Sequence, residues 1–292
     1  QVDITRNGSE TIIRAGHNSI INYRSFDIAG HESVRFIQPN SSSRVLNRIN
    51  SAAPTRIDGA LTANGRVYIV NPAGVIFGNG ARVNVAGLYA AGGKLSNADF
   101  VAGRNRFTDL TGEVVNHGSI TADFAGLIGH RVYNSGSIVA PEGTVVMAAG
   151  PEVMVGERTG NIFVKVTGPS KKADGTAIDN AGLVEAAGGR VMMGAGDMYS
   201  LAVRTTGHVK AKEIDVGLGK GHVAVSGVLD ASNQGQGGTG GRVHVLGETI
   251  ALTGATIDAS GEQGGGQVRV GGDFQGRGDL PHAGVVTVDK ES

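Results

Sequence analysis

Asn116-His117-Gly118-Ser119-Ile120-Thr121-Ala122, Asn134-Ser135-Gly136-Ser137-Ile138-Val139-Ala140 and Asn180-Ala181-Gly182-Leu183-Val184-Glu185-Ala186 are three copies of one unit. Each runs from a turn residue through Gly into a short apolar strand that closes on Ala. Degraded copies follow at Ser226-Gly227-Val228-Leu229-Asp230-Ala231 and Thr253-Gly254-Ala255-Thr256-Ile257-Asp258-Ala259. The glycines at 118, 136, 182, 227 and 254 lie 18, 46, 45 and 27 residues apart. A second unit, Gly-Gly-x-Val-x-Val, recurs at Gly240–Val245 and Gly265–Val270, with relatives at Gly188–Met193 and Gly221–Val225. Spacings near one or two multiples of ~20–25 residues are those of a solenoid. Helix signals are almost absent, and the unit is built of strand-forming residues. It therefore predicts an all-β fold, a right-handed parallel β-helix of about three short strands per coil. Inward side chains would stack on their equivalents ~4.8 Å along the axis. The turns between strands are expected to need positive φ, which Gly and Asn adopt most readily.

Composition agrees. The 292 residues hold 49 Gly, eight Phe, five Tyr, no Trp and no Cys. A narrow coil has room for Val, Ile, Leu and Ala but for few rings. Sandwiches and propellers, the competing all-β architectures, usually carry more aromatics and clearer hairpin turns. Short β-branched runs recur along the chain, among them Val34-Arg35-Phe36-Ile37, Arg66-Val67-Tyr68-Ile69-Val70 and Thr144-Val145-Val146-Met147. Lys and Arg number 26, as do Asp and Glu, which argues against a nucleic-acid partner or an anionic membrane surface. No run of 18 apolar residues is present to span a bilayer as a helix. Without Cys there is no disulfide scaffold, thiolate site or catalytic thiol. Gln1 opens directly into strand-like sequence, so the chain reads as cytoplasmic or as a mature, trimmed chain.

The first hundred residues repeat less clearly and carry Pro in their turns, at Pro39, Pro54 and Pro72. Residues 1–45 are expected to cap the solenoid, with coils and loop insertions over 46–292. The last strand-like stretch, Val285–Asp289, carries no evident cap.

Conventional chemistry is sparse. The eight His (17, 31, 117, 130, 208, 222, 244, 282) have no metal-ligand spacing and are expected at solvated or turn positions. Neither Gly92-Gly93-Lys94 nor Gly219-Lys220-Gly221 completes a phosphate loop, and no Gly-x-Ser-x-Gly elbow exists. Asp230 and Asp258 hold equivalent repeat positions and are expected to stack. That is the only hint of a carbohydrate-active β-helix enzyme, and aligned turn acids are more often simply solvated. Arg277-Gly278-Asp279 spells an adhesion tripeptide in a Gly-rich stretch where such triplets arise readily. Lys171-Lys172-Ala173-Asp174-Gly175 reads as an exposed loop tip. No catalytic residue, metal or cofactor is expected.

Two longer segments carry a resemblance. The first runs Val34-Arg35-Phe36-Ile37-Gln38-Pro39-Asn40-Ser41-Ser42-Ser43-Arg44-Val45-Leu46-Asn47-Arg48-Ile49. The second runs from Ile57-Asp58-Gly59 through Arg66-Val67-Tyr68-Ile69-Val70-Asn71-Pro72-Ala73-Gly74-Val75-Ile76-Phe77-Gly78 to Val83-Asn84-Val85-Ala86-Gly87-Leu88. Together they resemble the N-terminal secretion domain of filamentous haemagglutinin-like adhesins, the exported members of two-partner secretion systems. The likeness runs from Thr11 to at least Phe274. The resemblance implies that two turn motifs bear on secretion, here Gln38-Pro39-Asn40-Ser41 and Asn71-Pro72-Ala73-Gly74. The second has Ala where the family pattern has Asn. Asn at i, Pro at i+1 and Gly at i+3 suit a type I turn, so the motifs could equally serve folding.

The resemblance further implies a partner: an outer-membrane β-barrel transporter whose periplasmic domains recognise the chain. The chain would cross from the periplasm unfolded and fold coil by coil at the cell surface, each coil burying apolar area that resists back-sliding. Strand addition to the transporter's periplasmic domains is one route of recognition. Host or neighbouring-cell contact would then belong to a region beyond residue 292, and the isolated domain would be a monomer. A self-stacking surface fibre is the structural alternative.

Overall fold

A computed structural model describes residues 2–158, 161–167, 173–196 and 199–292. The chain winds as a right-handed parallel β-helix, the crossover sense that parallel strands take. Each coil presents three faces. Face one is a nine-stranded parallel sheet of short strands such as Val75–Phe77, Val114–Asn116 and Val132–Asn134. A corner turn then leads into strands that bend and supply faces two and three of a sixteen-stranded sheet. In Ala60–Val70, residues 60–63 pair on face two and 66–70 on face three. Some later coils break the bend into two strands, as with Ser137–Val139 and Thr144–Ala149.

Inward positions form ladders. On face three, Val45, Val67, Leu88, Ala125, Val145, Val191, Ile214 and Val243 follow one another through successive coils, and all are buried. Each stacks a small or branched side chain on its like, which is why so few rings are needed.

Asn116, Asn134 and Asn180 sit at the end of face one with no exposed surface. Asn116 Nδ2 donates to Asn134 Oδ1 at 2.8 Å, and Asn134 Nδ2 donates to Asn180 Oδ1 at 2.8 Å. Asn180 passes the ladder to Thr205 Oγ1 at 3.3 Å. Asn116 Oδ1 also accepts from the Gly118 amide, holding the corner. The repeated Asn is therefore a buried hydrogen-bonding rung.

The role expected of the repeat glycines needs correction in the same way. Gly118, Gly136, Gly182 and Gly227 do not adopt positive φ; of the five repeat glycines only Gly254 does, at +61°. Close approach between coils selects glycine instead. A Cβ on Gly136 would lie 2.1 Å from the Gly118 carbonyl oxygen, and one on Gly182 would lie 2.2 Å from that of Gly136. The spacings also divide differently from what whole coils alone would give. Ser137 pairs directly with Leu183, so the 46-residue interval is one coil plus an excursion. Between Gly182 and Gly227 lies another corner at Gly207, so that interval is two coils.

At the N-terminus, Val2–Asn7 pairs antiparallel with Glu10–Ala15, which is itself the first parallel layer beneath Ser33–Ile37. Within residues 2–45, antiparallel pairing is confined to Val2–Asn7 with Glu10–Ala15. Lys171 and Lys172 lie outside the described residues.

Outside the coils sits a four-stranded antiparallel sheet made by Lys94–Leu95, Asn105–Thr108, Glu152–Arg158 and Asn161–Thr167. A short helix, Asn97–Val101, accompanies it, capped by Ser96 Oγ accepting from the Asp99 amide at 3.0 Å. This cover lies on the outer side of face three. Leu46, Tyr68, Tyr89 and Val146 point outward there, yet they are buried against Leu95, Phe100, Phe107, Val153 and Val155. Face three is therefore apolar on both sides in these coils, and its strands read as continuous apolar runs rather than alternating ones.

Candidate functional site: the two turn motifs

Both motifs lie at corners that bound face three. Gln38-Pro39-Asn40-Ser41 leads from Ser33–Ile37 on face two into Arg44–Ile49 on face three. Asn71-Pro72-Ala73-Gly74 leads from the end of Ala60–Val70 on face three into Val75–Phe77 on face one, one coil later. The two occupy opposite edges of one face in successive coils.

Gln38 is buried at 4% exposure, whereas Pro39, Asn40 and Ser41 are exposed. The Gln38 amide donates to Asn64 Oδ1 at 2.8 Å, and Asn64 Nδ2 returns a bond to the Gln38 carbonyl at 2.7 Å. Gln38 Nε2 donates to the Ser43 carbonyl at 2.8 Å. Its side chain lies over Gly65, where a Cβ would come within 2.6 Å. Asn40 Oδ1 gathers the Ser42 amide and the Ser42 and Ser43 hydroxyls, closing the exposed turn.

Asn71 is completely buried. Its Nδ2 donates to the Ala53 carbonyl and to Thr55 Oγ1, both at 3.1 Å, and its Oδ1 accepts from the Ala73 amide at 2.9 Å. The Gly74 amide closes the turn on the Asn71 carbonyl at 2.9 Å, as expected of Asn-Pro-x-Gly. Gly74 does need its glycine, with φ at +116° and the Glu113 carbonyl 2.7 Å from where a Cβ would stand. Ala73, at the position that departs from the family pattern, is half-buried and uses its amide rather than its side chain.

This second corner also seats the extra-coil sheet. The Thr111 hydroxyl donates to the Pro72 carbonyl at 3.0 Å, and the Val75 amide donates to the Glu113 carbonyl at 3.0 Å. Residues 92–112 leave and return at the equivalent corner of the next coil. The neck is closed by Gly112 N donating to the Gly92 carbonyl at 2.8 Å.

The sheet is held over face three by rings and charges. Tyr68 and Tyr89 stack at 4.3 Å, and Phe124 extends the stack at 4.5 Å. The Tyr68 hydroxyl donates to Asn105 Oδ1, and Asn105 Nδ2 donates to the Tyr89 hydroxyl. Burial pushes the Tyr68 phenol up to about 12 despite Arg44 and Arg66 nearby, and raises Tyr89 further. Arg106 grips Glu152 with two hydrogen bonds and holds its carboxyl below the ordinary range.

Asp230 and Asp258 do stack in register, but each caps a turn, accepting from the amides of Ser232 and Ser260. Arg277, Gly278 and Asp279 lie on an exposed loop closed by Asp273, which accepts from the Leu280 amide. His244 departs from the expected solvated position: it is 7% exposed on face three, with Nδ1 3.3 Å from Asp215 Oδ1. Among the described residues no group of three or more His, Asp or Glu could hold a metal ion.

The sequence model of the TPS secretion domain matches residues 4–245, most of the chain. The chain belongs to the TPS secretion domain family. The HMW1 secretion domain of Haemophilus influenzae is similar in structure, with a TM-score of 0.85 and 29% identity over 100% of this chain and 80% of that one. The filamentous hemagglutinin secretion domain shares the fold at a TM-score of 0.54 and 14% identity, over 99% of this chain and 98% of its own. A heme/hemopexin-binding protein of Haemophilus influenzae strain Rd is 39% identical over 142 residues, 44% of this chain and 16% of that protein. A second protein of that description, from the same species, is 40% identical over 101 residues, 35% of this chain and 11% of its own length. The chain thus spans a small part of the curated relatives it matches. This TPS domain is the secretion-directing part of a two-partner-secretion exoprotein. Its route runs through the periplasm and across the outer membrane by way of a transporter partner.

Proposed function

We propose that residues 1–292 act as one secretion unit whose two motifs are used twice. In the unfolded chain, Gln38, Pro39, Asn40 and Ser41, and Asn71, Pro72, Ala73 and Gly74, are read by the transporter's periplasmic domains. In the folded domain the same residues close two corners of the β-helix. The observation that carries this reading is the complete burial of Asn71, with its amide nitrogen and oxygen both engaged. A side chain so placed is open to a partner only before the coil closes. The exposed Pro39, Asn40 and Ser41 remain accessible in both states. The unit has no catalytic role in this reading and is monomeric on its own. Any contact with a host or neighbouring cell is made by other parts of the exoprotein.

The test is export of residues 1–292 behind a signal peptide with the cognate transporter, comparing wild type, Asn71→Ala and Asn40→Ala. Purified samples of each are unfolded in denaturant to measure stability. Lost export of Asn71→Ala at wild-type stability supports direct reading. Export that falls only in proportion to lost stability assigns the motif to folding alone. Retention of wild type in the periplasm with its transporter present overturns the secretion unit as drawn.

A further inference from the structure

The outward ladder of face three changes character along the axis. In register it reads Leu46, Tyr68, Tyr89, Gly126, Val146, Met192, Asp215, His244 and Arg269. Up to Val146 the ladder is apolar and covered. From Asp215 onward it is polar or charged, with Arg190 and Arg242 beside Asp215 and Asp273 beside Arg269. The switch falls where the extra-coil sheet ends. The early coils therefore cannot present a water-compatible outer face by themselves, whereas the later coils can.

The cover is assembled from two distant stretches. Phe107 pairs with Val153, and Asn105 with Val155, across nearly fifty residues of sequence. The same stretches tie back to coils made much earlier. Arg48 donates to the Leu95 carbonyl at 2.8 Å and to Asn97 Oδ1 at 2.7 Å, and the Arg44 guanidinium stands 5.5 Å over the Phe100 ring. Arg190, from a later coil, donates to the Ile162 carbonyl at 3.2 Å. One apolar cluster thus joins Leu46 to Val155, with Ile162, Val164 and Val166 packed against it.

We propose that the extra-coil sheet is a folding latch. Face three of residues 44–149 becomes stable only when Glu152–Arg158 and Asn161–Thr167 have joined Asn105–Thr108, so the domain locks as one block and not coil by coil. This rests on the secretion reading for its purpose: the step that prevents back-sliding comes only once the chain through Thr167 has left the transporter. It also gives the Asn71–Gly74 corner its place, since that corner seats the return of residues 110–113.

Pulse-labelled hydrogen exchange during refolding of the 292-residue chain tests the latch without any transporter. Amides of 44–49, 66–70 and 87–91 are expected to gain protection within threefold of the rate at 152–156 and 162–166. Protection of the three early strands more than threefold ahead of the later ones overturns the proposal. Phe107→Ala serves as the second measurement, because Phe107 belongs to the outer cluster and not to the inner core. It is expected to slow protection of 66–70 and 87–91 at least tenfold. Unchanged rates at those strands in a folded Phe107→Ala protein also overturn it. A failed export assay with a shared refolding rate would reject the secretion reading and leave the latch standing.

Discussion

Replacing Gly136 by Ala isolates the reason the repeat needs glycine. The backbone there accepts an L-residue, because Gly136 is not in the positive-φ region. The added Cβ would nonetheless stand 2.1 Å from the Gly118 carbonyl oxygen and 2.7 Å from the His117 carbonyl carbon, both backbone atoms. Relief to ordinary contact requires the two coils to part by roughly 1 Å. At that separation the bonds from Ser135 N to Asn116 O (2.9 Å), Gly136 N to Asn116 O (3.2 Å) and Ser137 N to Gly118 O (2.9 Å) fall out of range. Three bonds at about 1 kcal/mol each, with a strained Asn116–Asn134 rung beside them, give a loss of about 4–5 kcal/mol. Gly254→Ala is the control. Gly254 sits at φ +61° with nothing within 4 Å of its Cβ position, so the cost is backbone strain of about 1–2 kcal/mol. Both variants share the same effect of Ala on the unfolded chain, which cancels in the comparison. Denaturant titration followed by far-ultraviolet circular dichroism reads the difference. Loss in Gly136→Ala no larger than in Gly254→Ala would refute the close-approach argument and return the repeat to one of turn conformation.

Asn134→Ala removes the middle rung and leaves two buried amides short of a partner, and a loss of about 3 kcal/mol is expected by the same titration. Asn134→Thr is expected to lose less, since Thr205 already ends the ladder with a hydroxyl. The Glu152 carboxyl is held below its ordinary range by Arg106, so its contribution is present at neutral pH and is lost only as acid carries the pH through the lowered value. Protection factors at 105–108 and 152–156 are expected to fall there, and Arg106→Ala removes most of that acid dependence. The Tyr68 phenol, raised to about 12, contributes stability that is complete below pH 10 and disappears between about 10 and 12. Ultraviolet titration is expected to show the Tyr68–Tyr89 pair ionising only as the outer cluster opens.

The β-helix was legible from the repeats because a coil imposes one rule at every turn: a small residue where backbones touch, and apolar residues where side chains stack. Asn116, Asn134 and Asn180 declared themselves by recurrence, and Asn71-Pro72-Ala73-Gly74 by turn chemistry, since both depend on residues adjacent in sequence. What the Asn and Gly do there depends on the neighbouring coil and was visible only in three dimensions, where contact between stacked corners outweighs backbone preference. The excursion inside the 46-residue interval was equally hidden, because spacing counts residues and not layers. The outer sheet had one faint signal, the unbroken runs Val67–Val70 and Val145–Ala149, which mark strands covered on both sides. Sequence specifies local propensity and periodicity. The meeting of Phe107 with Val153, and the latch this makes over Tyr68 and Tyr89, is a long-range pairing that only the folded chain decides.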